Sequence, residues 1–181
     1  MPVREILQLG NPALRERSRP VVNFQAALAT LQDLRDTLHD FQQRYGFGRG
    51  ISAVQIGMPE RLIYLEIAGN SYSLINPVLR HACESKILVW DDCFCFPQIM
   101  VRLVRAERVQ IDYVDHRGVT CSLAAEWDFS ELLQHELDHL DGILAIDRAI
   151  DKHSFATRAE FERRYAQERI LRLRGAASGG G

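Results

Sequence analysis

His135-Glu136-Leu137-Asp138-His139 sets two imidazoles four residues apart with a carboxylate beside the first. On an α-helix the two histidines stand one turn apart on the same face, so both can ligate one metal ion. Glu136 is placed to carry a proton to or from a water at that ion. The chemistry this spacing points to is metal-assisted hydrolysis. The identity of the third ligand separates one class of such hydrolases from another.

Two downstream solutions fail. A third histidine six residues after His139, following a glycine three residues after it, would mark a metzincin. Gly142 fits, but the histidine slot holds Ala145. A thermolysin-like glutamate would have to be Glu160 or Glu162, which lie in an arginine-rich amphipathic segment. The third ligand is therefore better sought upstream. The chain has four cysteines, Cys83, Cys93, Cys95 and Cys121, and no export signal at Met1-Pro2-Val3-Arg4-Glu5. Reduced thiols follow, and a reduced thiol can ligate a metal.

The elements that must hold these groups can be read from periodicity. With 181 residues, 46% of them hydrophobic and 25% charged, the chain suits one soluble domain with a sizeable core. A net charge of -2 gives no bias toward nucleic acid or an anionic membrane, and no apolar run is long enough for a membrane span. Asn23 caps a helix whose stripe is Leu28, Leu31, Leu34, Leu38, Phe41 and Tyr45, and Gly46 ends it. Residues 61–67 and 72–75 read as paired strands around Gly69-Asn70, and 86–90 as another strand. Residues 105–114 read as one strand, pairing with 120–124. The metal-motif helix is expected over about 129–141, with Asp128 and Glu131 as a capping box. A last helix is expected after Ser154, carrying Phe155, Phe161, Tyr165 and Ile170. These elements are not an alternating βαβ pattern, and they indicate α+β. Residues 1–174 form the expected domain, and Gly175–Gly181 a disordered Gly/Ala/Ser tail.

Three separated segments together resemble the peptide deformylase family. Gly48-Arg49-Gly50-Ile51-Ser52-Ala53-Val54-Gln55 is similar to its GxGLAAxQ motif. Asp91-Asp92-Cys93-Phe94-Cys95-Phe96-Pro97 is similar to EGCLSxP, and Gln134 to Gly142 to QHExDHLxG. Their order and separation also agree, over roughly residues 3 to 170.

The resemblance implies an α+β fold of antiparallel sheets around a central metal-bearing helix, with N- and C-terminal helices. It implies Cys93, His135 and His139 as ligands of one divalent ion, Fe(II) natively, with Zn(II) or Ni(II) as substitutes. It implies Glu136 as general acid/base, and the Gln55 side-chain amide with the Phe94 backbone N–H as oxyanion donors. Gly48, Gly50, Asp91, Arg105 and Leu132 would bind substrate, with Asp91 also pairing with Arg105. The implied reaction removes the N-formyl group from the initiator methionine of a nascent chain in the cytoplasm, an apolar pocket taking the methionine side chain. A ribosome contact through a basic C-terminal helix (Arg158, Arg163, Arg164, Arg169, Arg172, Arg174) belongs to the same picture.

The second motif departs most. Asp91 stands for glutamate, Asp92 for glycine, Phe94 for leucine and Cys95 for serine. Ile51 and Ser52 are milder changes. A second reading is a metal-holding paralogue that binds formylated or blocked peptide N-termini without useful turnover. A third, an endopeptidase, predicts cleavage of internal peptide bonds.

Overall fold

The computed structural model of the protein describes residues 3–173. Arg174 and the expected Gly175–Gly181 tail lie outside the described residues. Helix α1 (Phe24–Tyr45) begins where the Asn23 side chain accepts the Ala26 N–H at 3.1 Å. It ends at Gly46, whose φ of 77° is left-handed and whose N–H returns to the Gln42 carbonyl. Leu31, Leu34, Leu38 and Phe41 form its buried stripe, as their three- and four-residue spacing requires.

After α1 come β1 (Gly50–Ser52), a 3-10 turn over Ala53–Ile56, β2 (Leu62–Ile67) and β3 (Asn70–Ala82). Ile67 pairs with Asn70, so the hairpin turns at Ala68-Gly69, where both φ angles are positive. β3 runs well past the expected 72–75. It passes Pro77 at a register shift between Ile75 and Val78, an irregularity that accommodates a residue with no N–H to donate. Strands β4 (Lys86–Asp92), β5 (Ile99–Ala106), β6 (Arg108–Val114) and β7 (Thr120–Glu126) lead into helix α2 (Trp127–Leu140). The chain then forms β8 (Phe155–Thr157), helix α3 (Arg158–Arg164), a 3-10 turn over Ala166–Glu168 and β9 (Ile170–Arg172).

Three expectations are corrected. The single strand over 105–114 is two, broken at Glu107, and Arg105 belongs to β5, which the sequence reading did not anticipate. The metal helix starts at Trp127 after Glu126, which makes no side-chain cap; Asp128 and Glu131 instead both bind Arg49. The expected last helix is only α3, with Phe155 in β8 and Ile170 in β9.

Among the described residues the strands make two sheets, ordered β1-β2-β3-β6-β7 and β8-β5-β4-β9, with every strand pairing antiparallel. α2 packs on strands of both: β1, β2, β6 and β7 of the first, β4 and β5 of the second. The expected α+β arrangement around a central helix is what the chain adopts. One apolar cluster joins α1 to both sheets and encloses Cys93 and Cys95. A second, including Leu65, Ile111, Leu133, Leu137 and Leu140, seats α2 on the first sheet. No helix among the described residues is long and apolar enough to cross a membrane.

Candidate active site and metal centre

α2 presents His135 and His139 to Cys93, which lies in the turn just after β4. The His135 and His139 Nε2 atoms are 3.1 Å apart, and Cys93 Sγ is 3.3 Å from His139 Nε2. All three donor atoms lie within 4.8 Å of one another and all three residues are buried. Bonds of ~2.0–2.1 Å to imidazole and ~2.3 Å to thiolate, at tetrahedral angles, put such donors roughly 3.3–3.6 Å apart. The set therefore fits one divalent ion, with a soft thiolate and two imidazoles leaving one position open.

What surrounds the donors fixes them. His135 Nδ1 lies 2.8 Å from Asp91 Oδ1, and Asp91 Oδ2 accepts from Arg105 Nη2 at 3.0 Å. Arg105 also pairs with Asp138. A carboxylate behind a ligating imidazole sets its tautomer and raises its basicity. Burial opposes charge on His135, yet Asp91 outweighs it and pushes the imidazole up to about 10. Burial likewise works against ionising Asp91, but His135 and Arg105 hold its carboxyl well below the usual range. The pocket thus draws positive charge to the His135 ring, and an ion bound there displaces the proton. Burial pushes the Cys93 thiol up, a cost that a bound cation reverses by favouring thiolate. The Cys95 N–H points at Cys93 Sγ from 3.4 Å.

Glu136 is buried next to this cluster. Its carboxylate accepts from Ser52 Oγ at 2.5 Å, and the same hydroxyl lies 3.1 Å from its carbonyl oxygen. Burial raises the Glu136 carboxyl above the ordinary range. Gln55 is held by its own amide: Oε1 accepts the Ser52 N–H at 2.8 Å, which leaves Nε2 toward Cys95 Sγ at 3.6 Å and Cys93 Sγ at 3.9 Å. The N-terminal segment fastens the same region, Leu7 N–H to the Gln55 carbonyl and Leu9 N–H to the Cys95 carbonyl, each 2.8 Å.

Glycine is required on both sides of Arg49. A Cβ on Gly48 would sit 2.6 Å from the Phe94 ring, and its φ of 126° also disfavours any side chain. A Cβ on Gly50 would sit 2.6 Å from Leu65 Cδ2 and 2.9 Å from Glu136 Oε1. Gly50→Ala should therefore displace the carboxylate. A shift of ~1 Å commonly costs ~100-fold, so kcat should fall by about that much, and crowding of the buried Leu65 should also lower stability by about 1–3 kcal/mol; an unaltered kcat would show that the carboxylate has room to spare.

Part of this site borders a cavity of about 530 Å³; the donors Cys93 and His139 are buried and not among its lining residues. Of the residues expected at the site, Gly48, Gly50, Gln55, Phe94, Leu132, His135 and Glu136 line it. Asp91 and Arg105, expected among the substrate-binding residues, do not: both are buried behind His135, where their pairing places the ring rather than meeting substrate. The expected apolar side-chain pocket is also half polar, since Arg49, Asp128 and Glu131 share the wall with Leu132, Phe94 and Phe47.

Sequence reasoning missed three contributions. Ser52 looked like a mild change, yet it holds the Glu136 carboxylate. Asp92 stood only as a departure from the motif's glycine, yet it accepts from Arg158 Nη2 at 2.7 Å and Arg169 Nη2 at 3.0 Å, tying the segment around Ala166–Ile170 to the cavity as its outer wall. Arg49 passed for part of a glycine loop, yet it bridges Asp128 at 2.9 Å and Glu131 at 3.1 Å. The only signal for these pairings was surplus charge beside the motifs.

Comparison with known proteins agrees with this geometry. A family model described as polypeptide deformylase matches residues 3–155. A peptide deformylase of Syntrophomonas wolfei is 36% identical over 152 residues, covering 83% of this chain and 96% of that protein. One from Maricaulis maris is 34% identical over 154 residues, covering 81% and 85%. The crystal structure of the Thermotoga maritima peptide deformylase superposes with a TM-score of 0.78 at 28% identity, covering 83% of this chain and all of that one. A peptide deformylase from Synechococcus elongatus, solved in complex with actinonin, gives 0.79 at 25% identity, covering 85% and 82%. No feature of the site favours the reading without turnover. With its donor cluster, its buried acid and these relatives, the chain belongs to the peptide deformylase family, and it is a metal-dependent hydrolase that removes N-formyl groups from nascent polypeptides.

Proposed function

We propose that Cys93, His135 and His139 hold the catalytic ion, Fe(II) in the cell, and that Glu136 is the proton carrier. The observation that carries this is the convergence of the three donors within 4.8 Å of one another, with His135, Glu136 and Gln55 lining the adjoining cavity. When bound, the ion supplies Lewis acidity, polarising the formyl carbonyl and easing deprotonation of a water. Glu136 takes the proton from the attacking water as its oxygen adds to the formyl carbon. Glu136 then delivers that proton to the amine nitrogen as the C–N bond breaks, and formate leaves. The Gln55 Nε2 amide and the Phe94 N–H donate to the carbonyl oxygen as charge builds on it. β1 is an edge strand of its sheet, and the backbone at Gly48 and Gly50 is free of side chains toward the cavity. An extended peptide adding alongside it gains main-chain hydrogen bonds while its formyl end reaches the donors.

A cytoplasmic setting agrees with four free cysteines. Ribosome contact through the C-terminal arginines has less to rest on. Arg163 and Arg164 both pair with Glu160, Arg172 with Glu107, and Arg158 and Arg169 with Asp92.

The test is reconstitution. Chelation should abolish formate release from formyl-Met-Ala-Ser, and anaerobic Fe(II) should restore it more fully than Zn(II). Cys93→Ser should lose tight metal binding, whereas Cys95→Ser should keep it. Retention of the ion by Cys93→Ser would remove the thiolate from the ligand set.

A further inference from the structure

The outer wall of the cavity is fastened to β4 at three points. The Tyr165 ring stacks on Trp90 with centroids 5.1 Å apart, the Trp90 N–H donates to the Arg169 carbonyl at 2.9 Å, and Ile170 pairs with Val89. Arg169 therefore stands on fixed backbone. Its side chain lines the cavity, where its Nη2 donates to Asp92.

Charge at this wall does not balance. Asp92 is one carboxylate between two guanidinium groups, Arg158 and Arg169. The two differ in what they have left to offer. Arg158 is fully engaged: its side chain is 15% exposed, its Nε donates to the Pro97 carbonyl at 2.8 Å, and its Cζ lies 3.7 Å from the centroid of the Phe47 ring. The Arg169 side chain is 41% exposed, and among the described residues its guanidinium meets Asp92 alone. A guanidinium presents several N–H donors in a planar fork, so Arg169 keeps unused donors that match a carboxylate. Positive charge left over on a cavity wall selects for an anionic group.

The substrate reaches this wall after its first residue. With the formyl carbon at the metal donors and the methionine side chain in the cavity, the next two residues leave alongside β1, whose Gly50 borders the same cavity as Arg169. Side chains of an extended peptide alternate in direction, so one of those two turns toward the wall.

We infer that Arg169, held at the cavity wall by Asp92, is a specificity-determining residue that favours formyl-methionyl peptides with an acidic side chain at the second or third residue over those with a basic one there. The inference rests on the deformylase activity of this site and concerns only the sequence that follows the methionine.

The experiment measures kcat/KM on the metal-loaded full chain for formyl-Met-Xaa-Ser and formyl-Met-Ala-Xaa, with Xaa glutamate, glutamine or lysine. All peptides end in an amide, so that no terminal carboxylate competes for Arg169. At one of the two positions glutamate should exceed lysine about tenfold with glutamine between, since a half-exposed charge contributes only about threefold by attraction and as much by repulsion. High salt should shrink the ratio. Arg169→Gln should bring it within about twofold, and Arg169→Lys should keep most of it. Each ratio compares two substrates on one sample, so a variant with a smaller folded fraction still reports it. Calorimetric binding of the same peptides to metal-loaded Glu136→Ala protein reads the order without turnover. Absence of formate release from every peptide would count against the catalytic assignment, and the binding order would still decide this inference. Equal values for glutamate and lysine at both positions, a preference for lysine, or a glutamate preference that Arg169→Gln leaves intact overturns it.

Discussion

Glu136→Ala should cut formate release sharply while the protein keeps its metal. Proton transfer by a positioned side chain is worth about 100- to 10,000-fold, and kcat should fall within that range with KM little changed. The separation from metal binding follows from the geometry. The donor cluster is Cys93, His135 and His139, and the Glu136 carboxylate is instead held by the Ser52 hydroxyl. Formate assay and metal analysis on the same sample check it. If activity and metal vanish together, Glu136 belongs among the ligands and the proton must travel by another route.

Asp91→Ala is expected to damage both stability and metal binding. The substitution strips His135 of its carboxylate and leaves Arg105, only 3% exposed, with Asp138 as its remaining partner. Breaking a buried pair from one side costs about 3–5 kcal/mol, because the surviving charge cannot reach water. Loss of a carboxylate behind a ligating imidazole weakens metal affinity about 10- to 100-fold. Urea unfolding and a competition titration with a chromogenic chelator measure the two effects independently. Asp91→Asn, which keeps shape and loses charge, should be milder in both. An unchanged unfolding midpoint in the alanine variant would mean that Asp138 alone suffices for Arg105.

The legible parts of this molecule are those decided by local pattern. α1 was readable because Asn23, Gly46 and the leucine stripe are all local signals. The site was readable because paired imidazoles on a helix need only a fixed spacing, and because three motifs in order carried Cys93 and Gln55 with them. What escaped is decided by groups far apart in sequence. β5 was hidden because Arg102 and Arg105 interrupt its apolar residues, and Arg105 is buried only through Asp91 and Asp138. Asp128 and Glu131 imitate a capping box, but their partner is Arg49, across the fold from the helix. The segment after Ser154 has the composition of one amphipathic helix. It is divided because Asp92 takes Arg158 and Arg169, and because residues 170–172 find a strand to pair with.

That last pairing has a bearing on how the enzyme comes to be competent. Val89 meets Ile170 and Ile87 meets Arg172, while β2–β3 and β6–β7 are hairpins closed by neighbours in sequence. Local hairpins close quickly, and contacts between distant stretches must first overcome the entropy of the long loop between them. The ligand cluster and the outer wall both depend on such distant contacts, and the wall is drawn from the last of the described residues to be synthesised. Until residues 166–172 arrive, the reaction centre of an emerging copy stands open along one flank.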